Sequence, residues 1–354
     1  MENMVKHSFW EGKRVLITGH TGFKGSWLSL WLHHQGAAVF GYALEPETNP
    51  ALFNQLGLGK KVQHHVADIR DVKSIALYVR NVTPDVVFHM AAQPLVRRSY
   101  QEPSYTWETN VIGTINLLEA TKQVKERCAV VIVTTDKVYE NKETDHAYVE
   151  EDRLGGFDPY SSSKAAAELV VNSWRNSFFK RSNIRIATAR AGNVIGGGDW
   201  SVDRIIPDAV RALSRNQIIT VRNPKAVRPW QHVLEPLSGY MRLAEFLYNS
   251  DDTQFQSAFN FGPMADANRT VEELIKEVVN IWPGQWKANA EVNAPHEAGL
   301  LTLNIHKATS LLGWRPSWNF EESMKRTINW YQDQLSGKDP IDLTIQQINE
   351  YTSR

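Results

Sequence analysis

Tyr160 and Lys164, two side chains that can share control of one proton, stand four positions apart in the segment DPYSSSK. Pro159 favours a first helical position and alanines follow, so we predict a helix over about 159–180, on which these two residues share a face. An ammonium group beside a phenol favours the phenolate, and we therefore expect Lys164 to lower the pKa of Tyr160. Such a phenol can take the proton of a hydroxyl group while a hydride leaves the same carbon. The same spacing also arises by chance on helices, so the rest of the chain decides.

Three glycines near the start of the chain have the spacing of a phosphate-binding turn. Gly19, Gly22 and Gly25 follow a buried strand predicted over 13–18 and precede a helix predicted over 26–35. In such a turn the first glycine permits the tight bend, the second lets the backbone approach a pyrophosphate, and the third lets helix and strand pack closely. The N–H groups at the helix start then face the phosphates. We predict a dinucleotide site here, and a purely structural turn is the alternative.

Strands alternate with helices from residue 13 to about residue 191. Further strands are predicted over 37–44, 62–67, 85–90 and 129–135. This alternation predicts an α/β fold with a doubly wound parallel sheet, in which ligands bind at the carboxyl ends of the strands. Beyond residue 191 we predict helices over 235–249 and 271–282, a strand over 258–261 and a helix end at 311–316. We expect 1–191 to form a dinucleotide-binding domain, with segments near 232–262 returning to it, and 192–354 to form mainly a substrate lobe.

Small and polar residues follow several of these strands. Glu45 is the only acidic candidate to hold an adenosine ribose, and the absence of Arg or Lys beside it favours NAD over NADP. Asp68 either accepts a hydrogen bond from an adenine amino group or caps the helix that follows it. The alanine pair at 91–92 leaves room for a flat ligand. Asp136 and Lys137, after the fifth strand, either face the ligand or form a solvated surface pair.

Composition narrows the class of protein. The chain has 354 residues, 42% hydrophobic and 22% charged, with a formal net charge of zero, so no charge excess indicates a nucleic acid or a membrane surface as partner. One cysteine, Cys128, excludes an intramolecular disulfide and fits a reducing compartment. The sequence has no run of 18 apolar residues and no N-terminus of signal-peptide type. We therefore expect a cytoplasmic protein, with no metal site and no membrane or nucleic-acid partner.

Taken in order, these motifs resemble those of the extended short-chain dehydrogenase/reductase family over nearly the whole chain. The matching segments are the glycine turn, Asp68, the alanine pair, Tyr160-x-x-x-Lys164, Gly192-Asn193-Val194 and Leu312-Gly313-Trp314-Arg315-Pro316. The resemblance implies a Rossmann-type fold with a smaller C-terminal substrate-binding lobe, NAD as cofactor and nucleotide-sugars as substrates. It assigns cofactor binding to Gly19, Thr21, Gly22, Phe23, Gly25, Asp68, Ile69, Ala91, Ala92, Gln93, Asn110, Tyr160 and Lys164.

Within that family the residues after the fifth strand distinguish the reaction types. Hexose 4,6-dehydratases carry Thr-Asp-Glu there and epimerases carry Ser or Thr followed by small residues, whereas this chain has Thr135-Asp136-Lys137. The lysine, together with segments 20–25, 93–97, 196–200 and 228–232, is similar to the CDP-glucose 4,6-dehydratases. The resemblance thus implies a lyase that acts on CDP-glucose in deoxysugar biosynthesis, such as that of lipopolysaccharide O-antigens.

The implied chemistry is an internal redox reaction. Tyr160, with Lys164, removes the O4 proton of glucose while NAD takes the C4 hydride, which later returns to C6. Between these steps Asp136 is the acid that protonates the leaving C6 hydroxyl, a role that needs a raised carboxyl pKa. Lys137 occupies the position of the usual C5 base; it acts as that base, or it orients Asp136 or a water. Thr135 is implied to hydrogen-bond the sugar O4.

The resemblance also implies substrate contacts and a quaternary structure. The substrate contacts are assigned to Arg98, Asn193, Arg204, Arg228 and His296. Among these, Arg228 suits a bidentate grip on a diphosphate, and His296 with Glu297 the choice of nucleotide. A homodimer is implied through helices near 107–122 and 161–180.

Two other functions are weighed against the dehydratase. A nucleotide-sugar 4-epimerase needs only Tyr160 and Lys164 and has no use for the Asp136 carboxyl. A non-catalytic NAD-binding scaffold on the same fold needs neither the tyrosine–lysine pair nor the carboxyl, since a fold does not imply a function. The presence of all these residues in one chain favours the dehydratase.

Overall fold

The computed structural model describes residues 8–264, 267–289 and 299–353. Its strands are β1 (Arg14–Thr18), β2 (Ala38–Ala43), β3 (Gln63–Val66), β4 (Val86–His89), β5 (Cys128–Val133), β6 (Ala147–Tyr148), β7 (Ile184–Arg190), β8 (Val194–Ile195), β9 (Ile219–Val221), β10 (Val227–Pro229), β11 (Gln231–His232), β12 (Ala258–Asn260), β13 (Asn268–Thr270), β14 (Trp286–Ala288) and β15 (Thr302–Leu303). Seven of them form one parallel sheet, in the spatial order β12-β7-β5-β4-β1-β2-β3.

Helices connect these strands and cover the sheet. They are α1 (Phe23–His34), α2 (Leu52–Gln55), α3 (Val72–Val82), α4 (Val96–Gln101), α5 (Pro103–Trp107), α6 (Gly113–Thr121), α7 (Pro159–Trp174), α8 (Ile205–Leu213), α9 (Leu234–Asn249), α10 (Val271–Ile281), α11 (His306–Leu312), α12 (Phe320–Leu335) and α13 (Pro340–Thr352). A π-helical turn, Glu108–Ile112, joins α5 to α6, and a second one, Arg175–Phe179, extends α7. Across the described ranges, no helix is both long and apolar enough to cross a membrane.

The central strands are buried on both faces of the sheet. In β1, Val15 and Ile17 belong to one apolar core and Leu16 to the other. β5 alternates in the same way, with Val131 in the first core and Val130 in the second. Alternate residues of a strand point to opposite faces, so a continuous apolar run is what a sheet covered on both sides requires. The strand order reverses between β1 and β4, and this reversal opens a crevice at the carboxyl ends of those two strands.

The second half of the chain builds the region beyond that crevice. It forms four two-stranded pairs, β8–β11, β9–β14, β10–β13 and β6–β15, the last of which recruits a strand from the first half. β12 then returns to pair with β7. The last helix also packs back on the first half, because Tyr351 of α13 lies edge-on to Trp31 of α1. The buried carboxylate of Glu235 on α9 accepts hydrogen bonds from the backbone N–H groups of Ser317 and Trp318.

The predicted doubly wound parallel sheet is confirmed, and β1 to β5 lie within two residues of their predicted bounds. Helices α12 and α13 were not predicted. Their signals are present in the sequence: Asn319 caps α12 by accepting from the Glu322 N–H, and Asp339 caps α13, whose first residue is a proline. The four small strand pairs have two or three residues each, too few for a periodic pattern to develop.

Candidate active site

One cavity of about 770 Å³ opens at the carboxyl ends of the central strands. It brings together residues that lie far apart in the sequence, from the glycine turn to the loops of the second half. The predicted site residues that line it are Gly19, Thr21, Gly22, Phe23, Gly25, Asp68, Ile69, Ala91, Ala92, Gln93, Arg98, Thr135, Asp136, Lys137, Tyr160, Lys164, Asn193, Arg204 and Arg228. Two predicted residues are not among them: Asn110, which lies behind the cavity wall, and His296, which with Glu297 lies outside the described residues.

The glycine turn forms a cradle that side chains would fill. Gly19 has a φ of +77°, and a Cβ there would come 2.7 Å from the backbone nitrogen of Ala91. A Cβ on Gly25 would collide with the carbonyl oxygen of Gly19, so α1 and the end of β1 can pack this closely only without side chains. Gly22 faces open space, where a Cβ would make only an ordinary contact. This shape fits a dinucleotide whose pyrophosphate lies against the backbone at the start of α1.

The end of β3 resolves the two alternatives for Asp68. The helix cap is Asp71, whose side chain accepts from the N–H groups of Lys73 and Ser74. Asp68 instead lies in the cavity wall and pairs with Arg70 at 2.7 Å. The hydrogen bond from Arg70 lowers the pKa of the Asp68 carboxyl, which therefore stays ionised. The capping alternative is therefore wrong, and the role of Asp68 as an acceptor for the adenosine half of a dinucleotide stays a prediction.

Asn110 braces the cavity wall from behind. Its Oδ1 accepts from the Gln93 N–H at 2.8 Å, and its Nδ2 donates to the Gln93 carbonyl at 3.2 Å and to the Ser163 hydroxyl at 2.9 Å. The side chain therefore ties the loop after β4 to helix α7. Asn110 is not among the residues that line the cavity, and its assignment to cofactor binding stays a prediction.

Tyr160 and Lys164 lie on one face of α7, as predicted, but their electrostatics differ from the prediction. Asp158 caps the helix by accepting from the Ser161 N–H, and Lys164 Nζ donates to the carbonyl of Val133 at 3.1 Å. Burial raises the pKa of Tyr160 to about 12, against an opposing hydrogen bond from the Thr135 side chain. Burial lowers the pKa of Lys164 to about 8, against the charge of Glu168. The expected lowering of the Tyr160 pKa by Lys164 is therefore wrong for these surroundings, because desolvation of the phenolate is the largest effect and the opposing effects come from Thr135 and Arg204.

The Asp136 carboxyl is the most deeply buried acid in the cavity wall. It is fully buried, its Oδ1 accepts from the Thr135 hydroxyl at 2.9 Å, and Lys137 Nζ lies 3.8 Å from the same oxygen. Its Oδ2 has no hydrogen-bond partner in the described part of the chain. Gly192 leaves space beside that oxygen, where a Cβ would collide with it. A buried carboxyl with one free oxygen is placed to hold and deliver a proton.

The substrate end of the cavity is lined by long cationic side chains. Arg204 Nη1 binds the Asp199 carboxylate at 2.8 Å, and Arg228 Nη1 donates to the carbonyls of Val227 and Gly299 at 2.9 and 3.2 Å. Asn193 adopts a φ of +42°, and its Nδ2 is buried without a partner among the residues described. These groups can meet the oxygens of a diphosphate. Arg98 lies apart from them and forms ion pairs with Glu47 (3.2 Å) and Glu102 (2.8 Å).

The sequence of this chain is similar to those of known nucleotide-sugar enzymes. A sequence model of the GDP-mannose 4,6 dehydratase family matches residues 16–327. The chain belongs to this family. It is 47% identical over 357 aligned residues to a CDP-glucose 4,6-dehydratase of Salmonella typhimurium, with 99% of each chain covered. It is 23% identical to a dTDP-glucose 4,6-dehydratase of Haemophilus influenzae, over 90% of this chain and 97% of that protein.

Solved structures show the same fold in other members of the extended short-chain dehydrogenase/reductase family. DesIV of Streptomyces venezuelae, a dTDP-glucose 4,6-dehydratase with NAD and TYD bound, superposes with a TM-score of 0.77 at 24% identity, covering 92% of this chain and 99% of DesIV. A UDP-glucose-4-epimerase of Stenotrophomonas maltophila with bound NAD gives a TM-score of 0.79 at 21% identity, covering 92% of this chain and all of the other. At these identities the likeness establishes the Rossmann-type fold of this family member.

Lys24 is a site residue that the sequence analysis missed. It lies inside the glycine turn and lines the cavity. Its pKa is lowered to about 7, first by burial and then by the nearby charge of Arg204, against the attraction of Asp136. The available signal was a lysine within the otherwise apolar and small residues that open α1. Lys24 is thus a second lysine in the cavity wall, after Lys164, whose pKa is lowered.

Proposed function

We propose that this chain is a CDP-glucose 4,6-dehydratase, a lyase that converts CDP-glucose to CDP-4-keto-6-deoxyglucose and water. One observation supports the reaction above the others: the buried Asp136 carboxyl, with its free Oδ2, lines the same cavity as Tyr160 and Lys164. An epimerase needs only to oxidise C4 and reduce it again on the other face, so it has no task for such an acid. The choice of CDP is supported by the relative with 47% identity.

The residues that would hold NAD are those of the glycine turn, Asp68 and Ile69 at the adenosine end, and the loop over 91–93. Bound there, NAD supplies the hydride acceptor for C4 and the hydride donor for C6. Asn110 keeps the 91–93 loop in place through its hydrogen bonds to Gln93. The absence of a cationic residue beside Glu45, which also lines the cavity, supports NAD over NADP.

In the oxidation half of the reaction, the chain's task is to move the O4 proton. Tyr160 receives this proton as C4 loses its hydride, while Thr135 holds O4 in place. Lys164 is held by the Val133 carbonyl, and the charge of Arg204 favours the Tyr160 phenolate against the effect of burial. The Thr135 hydroxyl also donates to Asp136 Oδ1, so the oxidising and eliminating groups form one hydrogen-bonded unit.

In the elimination half, the C4 ketone has made the C5 proton acidic. Asp136 gives its proton to O6, the C6–O6 bond breaks, and water leaves. Lys137 takes the C5 proton, since its Nζ lies 3.8 Å from the acid and its side chain lines the same cavity.

The test is incubation of the purified protein with CDP-, dTDP-, GDP- and UDP-glucose without added NAD, with products separated by chromatography and identified by retention and mass. We expect a product lighter by one water from CDP-glucose, with no net accumulation of NADH. An isomer of unchanged mass from UDP-glucose would replace the dehydratase by an epimerase. Equal turnover of dTDP-glucose would remove the nucleotide assignment and leave the reaction standing.

The proposed enzyme is a homodimer. Large apolar side chains of α5 to α7 and their π-helical turns are exposed, namely Trp107 (42%), Ile112 (47%), Leu169 (60%) and Phe178 (49%). Burying such a patch against a second copy removes apolar surface from water. Light scattering at micromolar concentration tests this, and a monomer mass there would contradict it.

Two further assignments belong to the proposal. The domain division places 1–191, with the segments near 232–262 that include α9 and β12, in the NAD-binding domain, and most of 192–354 in the substrate lobe; the pairing of β12 with β7 supports it. A cytoplasmic location is supported by Cys128, a buried free thiol whose pKa burial raises. Limited proteolysis that cut first near residue 192 would test the division.

A further inference from the structure

The glycine loop, residues 196–199, joins the two halves of the molecule beside the cavity. Its three glycines are followed by Asp199, and Gly198 has a φ of +80°. A Cβ on Gly197 would collide with the indole of Trp330, and a Cβ on Gly198 with the side chain of Leu52. The loop is therefore closely packed on both sides, and its path depends on the elements that hold it.

Helix α12 makes the polar contacts that fix this loop from outside the cavity. The Tyr331 hydroxyl donates to the carbonyl oxygen of Asp199 at 2.6 Å and lies 3.3 Å from the carbonyl oxygen of Gly196. From the other side, Trp27 Nε1 donates to the carbonyl oxygen of Gly197 at 2.9 Å. Tyr331 is fully buried and is not among the residues that line the cavity.

Asp199 connects the glycine loop to the cavity wall, because its carboxylate binds Arg204. Its side chain is buried, with Oδ1 accepting from the Ser201 N–H at 3.1 Å and Oδ2 accepting from Arg204 Nη1 at 2.8 Å. Arg204 lines the cavity together with Tyr160 and Lys24, whose pKa values its charge lowers. The direction of the Arg204 guanidinium is thus set by a carboxylate whose own backbone is held by Tyr331.

We infer that Tyr331 is a positioning residue for substrate binding: by holding Asp199 it aims the Arg204 guanidinium at the diphosphate of the nucleotide-sugar. The inference rests on the proposed function for the identity of that ligand. It assigns to the C-terminal helix α12, which contributes nothing to the cavity wall, a part in substrate affinity. A guanidinium gives a strong bond to a phosphate only at the correct angle, so a loose loop loses affinity even with Arg204 present.

The experiment compares Tyr331→Phe with Tyr351→Phe. Both variants lose a buried hydroxyl with two hydrogen-bond contacts, since the Tyr351 hydroxyl donates to Glu235 Oε2 at 2.7 Å and lies 2.9 Å from the Ser238 hydroxyl oxygen. Tyr351 and Glu235 lie away from the cavity lining. We expect similar losses in thermal stability. Only Tyr331→Phe should raise the KM for CDP-glucose, by about three- to ten-fold, with kcat and NAD affinity near wild type.

A double-variant cycle separates positioning from general loosening. In an Arg204→Ala background, Tyr331→Phe should leave the KM unchanged, because the group it positions is gone. Calorimetry also measures the dissociation constant of CDP-glucose, so the comparison can be made for variants that turn over too slowly for a KM. Wild-type affinity in Tyr331→Phe, or an equal loss with and without Arg204, would overturn the inference. Wild-type protein that bound CDP-glucose without converting it would contradict the proposed function alone.

Discussion

The two ends of the cavity are built from different materials. At the cofactor end the wall is made mainly of backbone. It includes Gly19, Gly22 and Gly25, which have no side chains, and the alanine pair after β4. At the substrate end the wall is made of long side chains, and Arg204 is bound by Asp199, whose carbonyl oxygen accepts from the distant Tyr331. A backbone wall depends on local chain conformation, whereas a side-chain wall depends on contacts between distant parts of the fold. Substitutions in the backbone wall should therefore impair folding or NAD binding, and substitutions in the side-chain wall should lower substrate affinity.

The largest effect is expected where the two ends meet, at Tyr160. Tyr160→Phe removes the group that receives the O4 proton, so neither enzyme-bound NADH nor keto product should form in a single turnover, a loss of about 10²–10⁴-fold in the oxidation step. Absorbance of NADH is the measurement. Tyr148→Phe, a buried tyrosine outside the cavity lining, is the matched control. Oxidation at the wild-type rate in Tyr160→Phe would end the catalytic assignment of this residue.

Asp136→Asn should divide the reaction instead of stopping it. The amide keeps the shape of the carboxyl but delivers no acid proton, so oxidation should proceed while elimination slows by about 10²–10⁴-fold. In a single turnover we expect NADH absorbance that forms and then decays slowly. Turnover at the wild-type rate would show that Asp136 has no acid role, and the argument against an epimerase would lose its main support.

A pair of glycine variants tests whether the cofactor end is a backbone wall. Gly25→Ala places a Cβ against the Gly19 carbonyl oxygen, so it should lower the melting temperature by several degrees and abolish NAD binding. Gly22→Ala makes only an ordinary contact with the protein, at 3.5 Å from the same oxygen, so folding should be unchanged while NAD affinity falls. Thermal unfolding and NAD titration read the two effects. Equal stability of both variants with wild type would show a looser turn than the one described.

Arg228→Ala probes the substrate end. Charge-assisted hydrogen bonds to a diphosphate contribute about 1.5–3 kcal/mol, so the dissociation constant of CDP-glucose should rise by roughly 10- to 150-fold with NAD affinity unchanged. Calorimetry measures both affinities. Arg315→Ala, at an exposed position, should change neither. Unchanged substrate affinity in Arg228→Ala would show that this arginine has only a structural role, through its hydrogen bonds to the Val227 and Gly299 carbonyls.

The smallest effect concerns stability and pH. The pKa of Lys24 is lowered to about 7, below its ordinary value of about 10.4, so the folded state disfavours the charged ammonium. The resulting destabilisation is present in full below pH 7 and disappears as the pH rises toward the ordinary lysine pKa. Lys24→Met should therefore raise the melting temperature at neutral pH and reduce the gain in stability between about pH 7 and pH 10. Lys73→Met, on an exposed residue, should do neither; a lower melting temperature for Lys24→Met at neutral pH contradicts the account.

The same contrast explains what the sequence could and could not predict. The parallel sheet, the glycine turn and the shared helical face of Tyr160 and Lys164 follow from local periodicity and spacing, and the fold bears them out. The pKa of Tyr160 did not follow, because the cost of burying a phenolate depends on surroundings supplied by other elements. Asn110 was placed in the right region, but only the fold shows that it faces Gln93 from behind.

The C-terminal helices show the limit most clearly. Tyr331 and Trp330 sit on a helix whose caps are readable in the sequence, yet nothing local connects them to the glycine loop, which precedes them by more than 130 positions. Lys24 is the reverse case: it lies within a recognised motif, but its closeness to Asp136 depends on the order of strands in the sheet and its closeness to Arg204 on the folding of the second half over the first. Side-chain walls are therefore the part of a site that sequence patterns leave open.

The crowding of Lys24, Lys137, Lys164 and Arg204 around one cavity has a consequence for the rate of encounter with substrate. Lys137 and Arg204 lie within 4 Å of the carboxylates of Asp136 and Asp199, so Lys24 and Lys164 supply the excess positive charge, whose field reaches about 10 Å at 0.1 M salt. An anionic sugar nucleotide is steered into such a mouth, and its association rate should fall as ionic strength rises. Because the pKa values of Lys24 and Lys164 lie at about 7 and 8, the attraction also fades across mildly alkaline pH. Capture of substrate is thereby set by the acidity and salt of the surroundings as well as by the fit of the cavity.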